Sequence, residues 1–387
     1  GDVLIEVVYE NHPVKGELQI VKKGEILESF DKDFSYQEIN LSGAVFDLYA
    51  AEDIYSPDYQ KDADGNRIVV YAKDTLVTTI TTGEDGMAVA ENLPLGAYRV
   101  VEKTAPEGFV LNPEAAEVVF VYEGQDTPVV EQEVTVGDER QKVAISVEKQ
   151  DAENGAVVAG AVFGIYNKED ITADGKVIVA ADTLLQEMTS DEKGQAGCTL
   201  DLPLGSYYVK ELKAPAGYVS SNEVLNFDAS YQGQDVETVV LKAVKKNQPT
   251  TVEITKSDIT TGTELDGASL KVLDKDGNVV DEWTSVKDAP HVIKRLVVGE
   301  TYTLREEFAP YGYLKATDVE FTVEDNGDVQ KVEMKDEVPT GLLIINKKGE
   351  FLDKVTLLDN AKGTVEHLFE YITGSLTEVT FHVYAAE

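Results

Sequence analysis

One cysteine, Cys198, is all that 387 residues contain, so no internal disulfide can form. Bases are scarce as well: 34 Lys and Arg stand against 72 Asp and Glu, for a net charge of −38. A surface this acidic repels a phosphate backbone, which excludes nucleic acid as a partner. No run of 18 apolar residues occurs, so no segment is expected to span a membrane. The four histidines (His12, His291, His367, His382) fall at no zinc spacing. Nucleophile elbows, phosphate loops and triad patterns are missing too. No metal, no cofactor and no multiple-turnover chemistry are therefore expected. Hydrophobic residues still make up 42% of the chain, enough for real cores. Without disulfides, those cores must be held by other means.

What the chain has is repetition. YRVVEKTAPEGF at 98–109, YYVKELKAPAGY at 207–218 and YTLREEFAPYGY at 302–313 are nearly one phrase. In each, strand-like alternation puts Glu102, Glu211 or Glu306 in phase with the aromatic and aliphatic residues before it, facing inward. A second phrase opens each repeat: LSGAVFDLYAAED at 41–53, VAGAVFGIYNKED at 158–170 and LDGASLKVLDKDG at 265–277. Upstream of these lie alternating strands ending in an inward lysine: Leu18-Ile20-Lys22, Ile145-Val147-Lys149 and Val252-Ile254-Lys256. Leu343-Ile345-Lys347 is a fourth, in GLLIINKKGE beside GELQIVKKGE. Other strands end in Asn or Asp shortly before each lysine, at Asn11, Asp138, Asn247 and Asp336. The strand before Asn247 is less clean, because Lys245 shares its inward phase.

This order divides the chain. Residues 1–11 read as the last strand of a preceding domain. Residues 12–138, 139–247 and 248–336 read as three complete repeats. Residues 337–387 read as the first part of a further one, since TEVTFHVYAAE echoes GAVFDLYAAE. Both ends are expected to fall within domains of something longer. DADGN (62–66), ADGK (173–176) and DKDGN (274–278) are hairpin signals. No long helical period stands out, so each repeat is expected to be an antiparallel β-sandwich. Linkers of a few residues favour a rod over beads on a flexible string. Cys198, in CTLDLPLG where repeat 1 has VAENLPLG, reads as a small core residue.

An inward Lys, Glu and Asp/Asn in every repeat admits two readings. One is a buried, hydrogen-bonded ionic network, costly and often no better than an apolar core. The other is chemical. A lysine taken out of water is driven toward its neutral, nucleophilic amine, and a carboxyl toward its protonated form. The amine could then attack the Asp or Asn side chain while the glutamate relays protons. Asp would release water and Asn ammonia, leaving a neutral amide.

The GAxFxLY opening, the YxVxExxAPxGY phrase and the flanking Lys and Asn/Asp resemble the B-type repeats of Gram-positive collagen adhesins (CnaB) and SpaA-type pilins. The resemblance implies tandem inverse immunoglobulin-like (transthyretin-like) sandwiches, all-β throughout. It also implies isopeptide bonds Lys22–Asp138, Lys149–Asn247 and Lys256–Asp336, promoted by Glu102, Glu211 and Glu306. Asn11 and Lys347 would be orphan halves of two more. Repeats 1 and 3 depart from the family in carrying Asp where Asn is commoner, and repeat 3 has GASLKVL for GAVF.

The expected function is a stalk on the Gram-positive cell wall, extracellular, with single-turnover self-crosslinking as its only chemistry. Its partners would be neighbouring repeats and, through the parent protein, a host protein or glycan. The alternative is a binding module that itself contacts that host molecule, through the repeat 1 insertion AEDIYSPDYQKDADGNR (51–67) with Tyr55 and Tyr59. An extracellular glycan hydrolase would need a paired-carboxylate cleft, and nothing marks such a pair. VVYAKDT (69–75) faintly resembles a pilin polymerisation motif, but Ala72 stands where that motif has proline.

Overall fold

Strict alternation along the lysine strands builds the architecture. In Lys142–Asp151 the residues Val143, Ile145, Val147, Lys149 and Asp151 are all buried, while their neighbours are exposed or half-buried. A period of two thus carries the lysine into the same interior as the aliphatics. The computed structural model describes residues 6–8, 10–359 and 365–384, and these contain strands but no helix.

The first sandwich comprises β1 (Lys15–Asp31), β2 (Asp33–Asn40), β3 (Val45–Ala50), β4 (Ile54–Tyr55), β5 (Val69–Tyr71), β6 (Leu76–Thr81), β7 (Met87–Leu93), β8 (Gly96–Thr104), β9 (Ala116–Phe120) and β10 (Val129–Asp138). One sheet centres on β1, which pairs in parallel with β10 and antiparallel with β7 and β2. The facing sheet runs β6-β3-β8-β9, and β4 and β5 form a separate ribbon.

The second sandwich comprises β11 (Lys142–Asp151), β12 (Val162–Asn167), β13 (Ile171–Ala173), β14 (Lys176–Val179), β15 (Leu184–Thr189), β16 (Gln195–Gly197), β17 (Gly205–Lys213), β18 (Val224–Ala229) and β19 (Thr238–Asn247). Its sheets are β16-β11-β19 and β15-β12-β17-β18. The third comprises β20 (Thr251–Asp258), β21 (Ser269–Leu273), β22 (Val279–Thr284), β23 (His291–Lys294), β24 (Thr301–Phe308), β25 (Val319–Thr322) and β26 (Gln330–Asp336), in sheets β23-β20-β26 and β22-β21-β24-β25. A hairpin of β27 (Lys348–Asp359) and β28 (Val365–Ser375) follows. In every sandwich the first and last strands are therefore parallel neighbours.

Each pair of sheets encloses its own apolar core. Cys198 is half-buried against the second core, where burial pushes its thiol pKa up. The Asp-Gly segments are turns: Asp62 Oδ1 accepts from the N–H groups of Asp64 and Asn66, and Asp274 Oδ1 from those of Asp276 and Asn278. Between β13 and β14, Asp174 and Gly175 both take positive φ (48° and 69°), as a two-residue hairpin turn requires.

Two expected strands do not appear. Residues 343–347 carry no strand; Leu343, Ile344, Ile345 and Lys347 are exposed, and pairing begins only at Lys348. A strand needs a partner ladder, and among the described residues no β10-like neighbour of the kind that holds β1 pairs with this segment. At the other end, residues 6–8, 10 and 11 carry no strand and Asn11 is exposed, while Tyr9 and residues 1–5 lie outside the described residues.

The junctions between sandwiches are bonded. The β1–β2 hairpin runs beyond its own sandwich, and Phe34 is buried in the second core with Leu27, Phe30 and Tyr36 packed beside it. Tyr36 Oη donates to the Asp201 carbonyl (2.7 Å), and Asp33 Oδ1 accepts from Asp201 N–H (3.0 Å). The Arg140 guanidinium lies 3.6 Å from the Tyr36 ring centroid and pairs with Asp201. Between the second and third sandwiches, Arg295 donates to Asp151 (2.8 Å) and Lys294 to Glu153 (2.7 Å). Ser220 Oγ also donates to Asp325 there (2.6 Å).

Candidate functional site

Three chambers share one design. Parallel register sets Lys22 opposite Val136 and Gly24 opposite Asp138; Lys149 faces Lys245 and Asp151 faces Asn247; Lys256 faces Met334 and Asp258 faces Asp336. The lysine and its Asp or Asn are thus two residues out of step on adjacent strands, on the same inward face. The glutamate comes from the opposite sheet, where Glu102 pairs with Phe46, Glu211 with Phe163 and Glu306 with Leu270.

In the first chamber Lys22 Nζ lies 2.8 Å from Glu102 and in direct contact with Asp138, with all three residues buried. Burial raises the Asp138 pKa to about 7, with Glu102 pushing the same way and Lys22 opposing. In the third, Lys256 Nζ is 3.0 Å from Glu306 and in contact with Asp336, again with all three residues buried. Burial raises Asp336 too, against the pull of Lys256.

The second chamber is arranged differently. Asn247 Nδ2 donates to both Glu211 oxygens (2.9 and 2.7 Å) and to the Val219 carbonyl (2.9 Å). Lys149 Nζ, fully buried, donates to the Gln150 carbonyl (3.2 Å). Among the described residues no ion pair joins it to Glu211. Burial lowers the Lys149 pKa to about 8, with Glu211 opposing and Lys245 adding to the fall. Lys245 is also buried, but its Nζ is drawn aside to Ser221 Oγ (2.8 Å) and Glu223 (2.7 Å).

Sequence reading found these nine residues. It missed what holds the glutamates. Ten residues beyond each, a backbone N–H donates to its carboxylate: Asn112 to Glu102 (3.0 Å), Ser221 to Glu211 (3.1 Å) and Ala316 to Glu306 (2.7 Å). Eight residues beyond, another N–H ties the segment to the end of the last strand: Val110 to Glu139, Val219 to Gln248, Leu314 to Glu337. A third element covers the chamber. Tyr218 Oη donates to Asp151 (2.9 Å); Tyr313 and Asp258 take the same two places in the third repeat, where chiefly the Thr261 backbone N–H holds the Asp258 pKa down. In the first repeat the same two places hold Phe109 and Gly24, and a Cβ on Gly24 would meet the Phe109 ring at 2.6 Å. This Asp/Tyr against Gly/Phe exchange was visible in the sequence as a paired difference. Asn11 and Lys347 are exposed and take part in none of the three chambers.

The SpaA family model, a prealbumin-like fold domain, matches residues 29–135, 143–244 and 250–338, well over half of the chain. The chain belongs to the SpaA family of prealbumin-like domains. The three matched segments fall one to each sandwich, and they take in Glu102, Lys149, Glu211, Lys256, Glu306 and Asp336 of the chambers. A fimbrial subunit type 2 from Actinomyces naeslundii is 30% identical over 145 residues, covering 33% of this chain and 25% of the relative. The Bacillus anthracis TIE protein is 26% identical with a TM-score of 0.52, covering 84% of this chain and 51% of that one. BcpA, the major pilin subunit of Bacillus cereus, is 15% identical with a TM-score of 0.41, over 84% of this chain and all of the pilin. The chain thus spans a quarter of the fimbrial relative and about half of the TIE protein.

Proposed function

We propose that this chain is a load-bearing stalk segment of a Gram-positive surface fibre or adhesin, held outside the cell, whose SpaA domains lock themselves with Lys–Asp/Asn isopeptide bonds. The observation that carries the reading is the threefold recurrence of a buried lysine two residues out of register with a buried Asp or Asn on the neighbouring strand, with a carboxylate from the opposite sheet, and direct Lys–Asp contact in repeats 1 and 3. The fimbrial relative supports the setting.

The chemistry follows from the chambers. In repeats 1 and 3 the lysine passes a proton to the aspartate it touches, and its Nζ lone pair attacks Cγ of the resulting Asp138 or Asp336 carboxylic acid. The glutamate takes a proton from the nitrogen and returns one to the departing oxygen, and water leaves. In repeat 2 the Asn247 amide nitrogen already faces Glu211, so the acid sits against the leaving group. The low Lys149 pKa supplies free amine near neutral pH, and ammonia leaves. Each product is neutral, which removes the cost of keeping an ion in a dry core. The test is intact mass: a deficit of one ammonia and two waters is expected, and a mass equal to the unmodified sequence would overturn the reading.

One observation favours a second role for repeat 1. Its insertion displays Arg67 between Tyr55 and Tyr59, 4.6 and 4.8 Å from their ring centroids, with Tyr59 largely exposed. The ribbon beneath is anchored by buried Ile54. Such a preformed aromatic-cationic cluster suits contact with a host protein or glycan. Replacing Tyr55, Tyr59 and Arg67 by Ser and measuring adhesion to matrix tests it; unchanged adhesion removes the role and leaves the stalk.

A further inference from the structure

Over its first eight pairs the β27–β28 hairpin copies the register of β1–β2, and it then runs three pairs further. In the first, Lys23 faces Asn40, Ile26 faces Gln37, Leu27 faces Tyr36, a bulge follows Leu27, and Phe30 faces Phe34. In the other, Lys348 faces Ser375, Phe351 faces Ile372, Leu352 faces Tyr371, a bulge follows Leu352, and Val355 faces Phe369. Both arise at the same place in the chain, one residue after the KKGE lysine. The second and third repeats have no such hairpin at their lysine strands, which end at Asp151 and Asp258.

The fates of the equivalent side chains differ. Leu27, Phe30, Phe34 and Tyr36 pack against the second core, and Phe34 is only 5% exposed. Their counterparts Leu352, Val355, Phe369 and Tyr371 are 50%, 44%, 51% and 58% exposed. Four large apolar groups side by side on a two-stranded ribbon are not stable in water for their own sake.

We propose that β27–β28 is a docking hairpin whose occupant is the open end of another SpaA sandwich of the repeat 2 kind. The repeat 2 socket defines what it would meet: an apolar floor like Cys198, Leu200 and Leu204, and a backbone peptide like that of Asp201, whose carbonyl accepts from Tyr36. Tyr371 keeps the phenol and Leu352 its paired aliphatic. In the native chain the repeat 2 socket is filled by β1–β2, so the free hairpin is left for a further domain. This inference stands apart from the crosslinks.

The test uses the whole chain with its socket emptied. F30S/F34S should expose the repeat 2 end to β27–β28 of a second copy. Sedimentation equilibrium should then show concentration-dependent association where the unaltered chain is monomeric, and hydrogen exchange over 351–355 and 369–372 should slow at least tenfold. Adding L352S/F369S should abolish both effects. An open-socket variant that stays monomeric at all concentrations, or association that survives L352S/F369S, would overturn the proposal. If F30S/F34S unfolds repeat 2, a chimera with residues 348–375 in place of 23–40 decides: repeat 2 regains exchange protection if the hairpin is a functional copy and stays unprotected if it is not.

Discussion

Replacing Glu306 with Gln keeps the volume of the side chain and removes its ability to relay a proton. Lys256 and Asp336 would stay in contact with no group to take and return the proton on which loss of water depends. After allowance for the substitution, E306Q should be heavier than the parent by one water. The bond spans 80 residues. In the chain-entropy model, closing a loop of this length removes about 4–5 kcal/mol of freedom from the unfolded state. At the 4–8 °C per kcal/mol typical of a domain this small, the third repeat should melt roughly 16–40 °C lower. Calorimetry with mass spectrometry on the same sample measures both quantities. If E306Q retains the water deficit, the glutamate does not promote the reaction. If the water returns and the melting temperature stays put, the entropic reasoning fails even though the chemistry stands.

N247A leaves Lys149 as a free amine, held down at about 8 by burial against an ordinary 10.5. Between those values the unfolded chain binds more protons than the folded one, so stability should rise as pH climbs from about 8 to about 10.5. Thermal melts of the second repeat across that window should show the gain, and the parent, with its amine in an amide, should show none. G24A puts a methyl 2.5 Å from Leu41 Cδ1 and 2.6 Å from the Phe109 ring, and should destabilise the first repeat by about 1–3 kcal/mol in denaturant titrations. F34A should cost about 3–5 kcal/mol, and hydrogen exchange should locate that loss in the second repeat, although the residue lies in the first.

The sandwiches and the nine chamber residues were legible because a period of two is unforgiving: once Leu18 and Ile20 point inward, Lys22 must follow. Sequence also carried the exchange of Asp151 and Tyr218 for Gly24 and Phe109, though its meaning needed the Tyr218–Asp151 hydrogen bond. Less accessible was anything made by backbone groups. The N–H donors of Asn112, Ser221 and Ala316 have no shared side chain, so only their constant distance from the glutamate could have marked them. The run of β1 beyond Lys22 was missed because the strand was read as ending at its lysine, and alternation does not say which sandwich a strand serves. The strand expected at 343–347 failed for the opposite reason: its pattern is right, but no strand among the described residues pairs with it.

The parallel pairing of first and last strands decides what the proposed bond does under load. In the third repeat a pull enters at Thr251, runs along β20 to Lys256, crosses to Asp336 at the end of β26, and leaves the domain. Everything between Lys256 and Asp336, which is every strand of both sheets except β20 up to its lysine, then lies off the force path. Without the bond the same pull shears the β20–β26 ladder, and the released chain can extend by roughly 3.3–3.6 Å per residue. Single-molecule stretching should therefore show no release step from this domain in the parent. In E306Q the 80-residue span should yield a step of roughly 260–290 Å. A step of that length in the parent would mean that the strands are joined by hydrogen bonds alone, and that the lysine, glutamate and aspartate form only a buried ionic network.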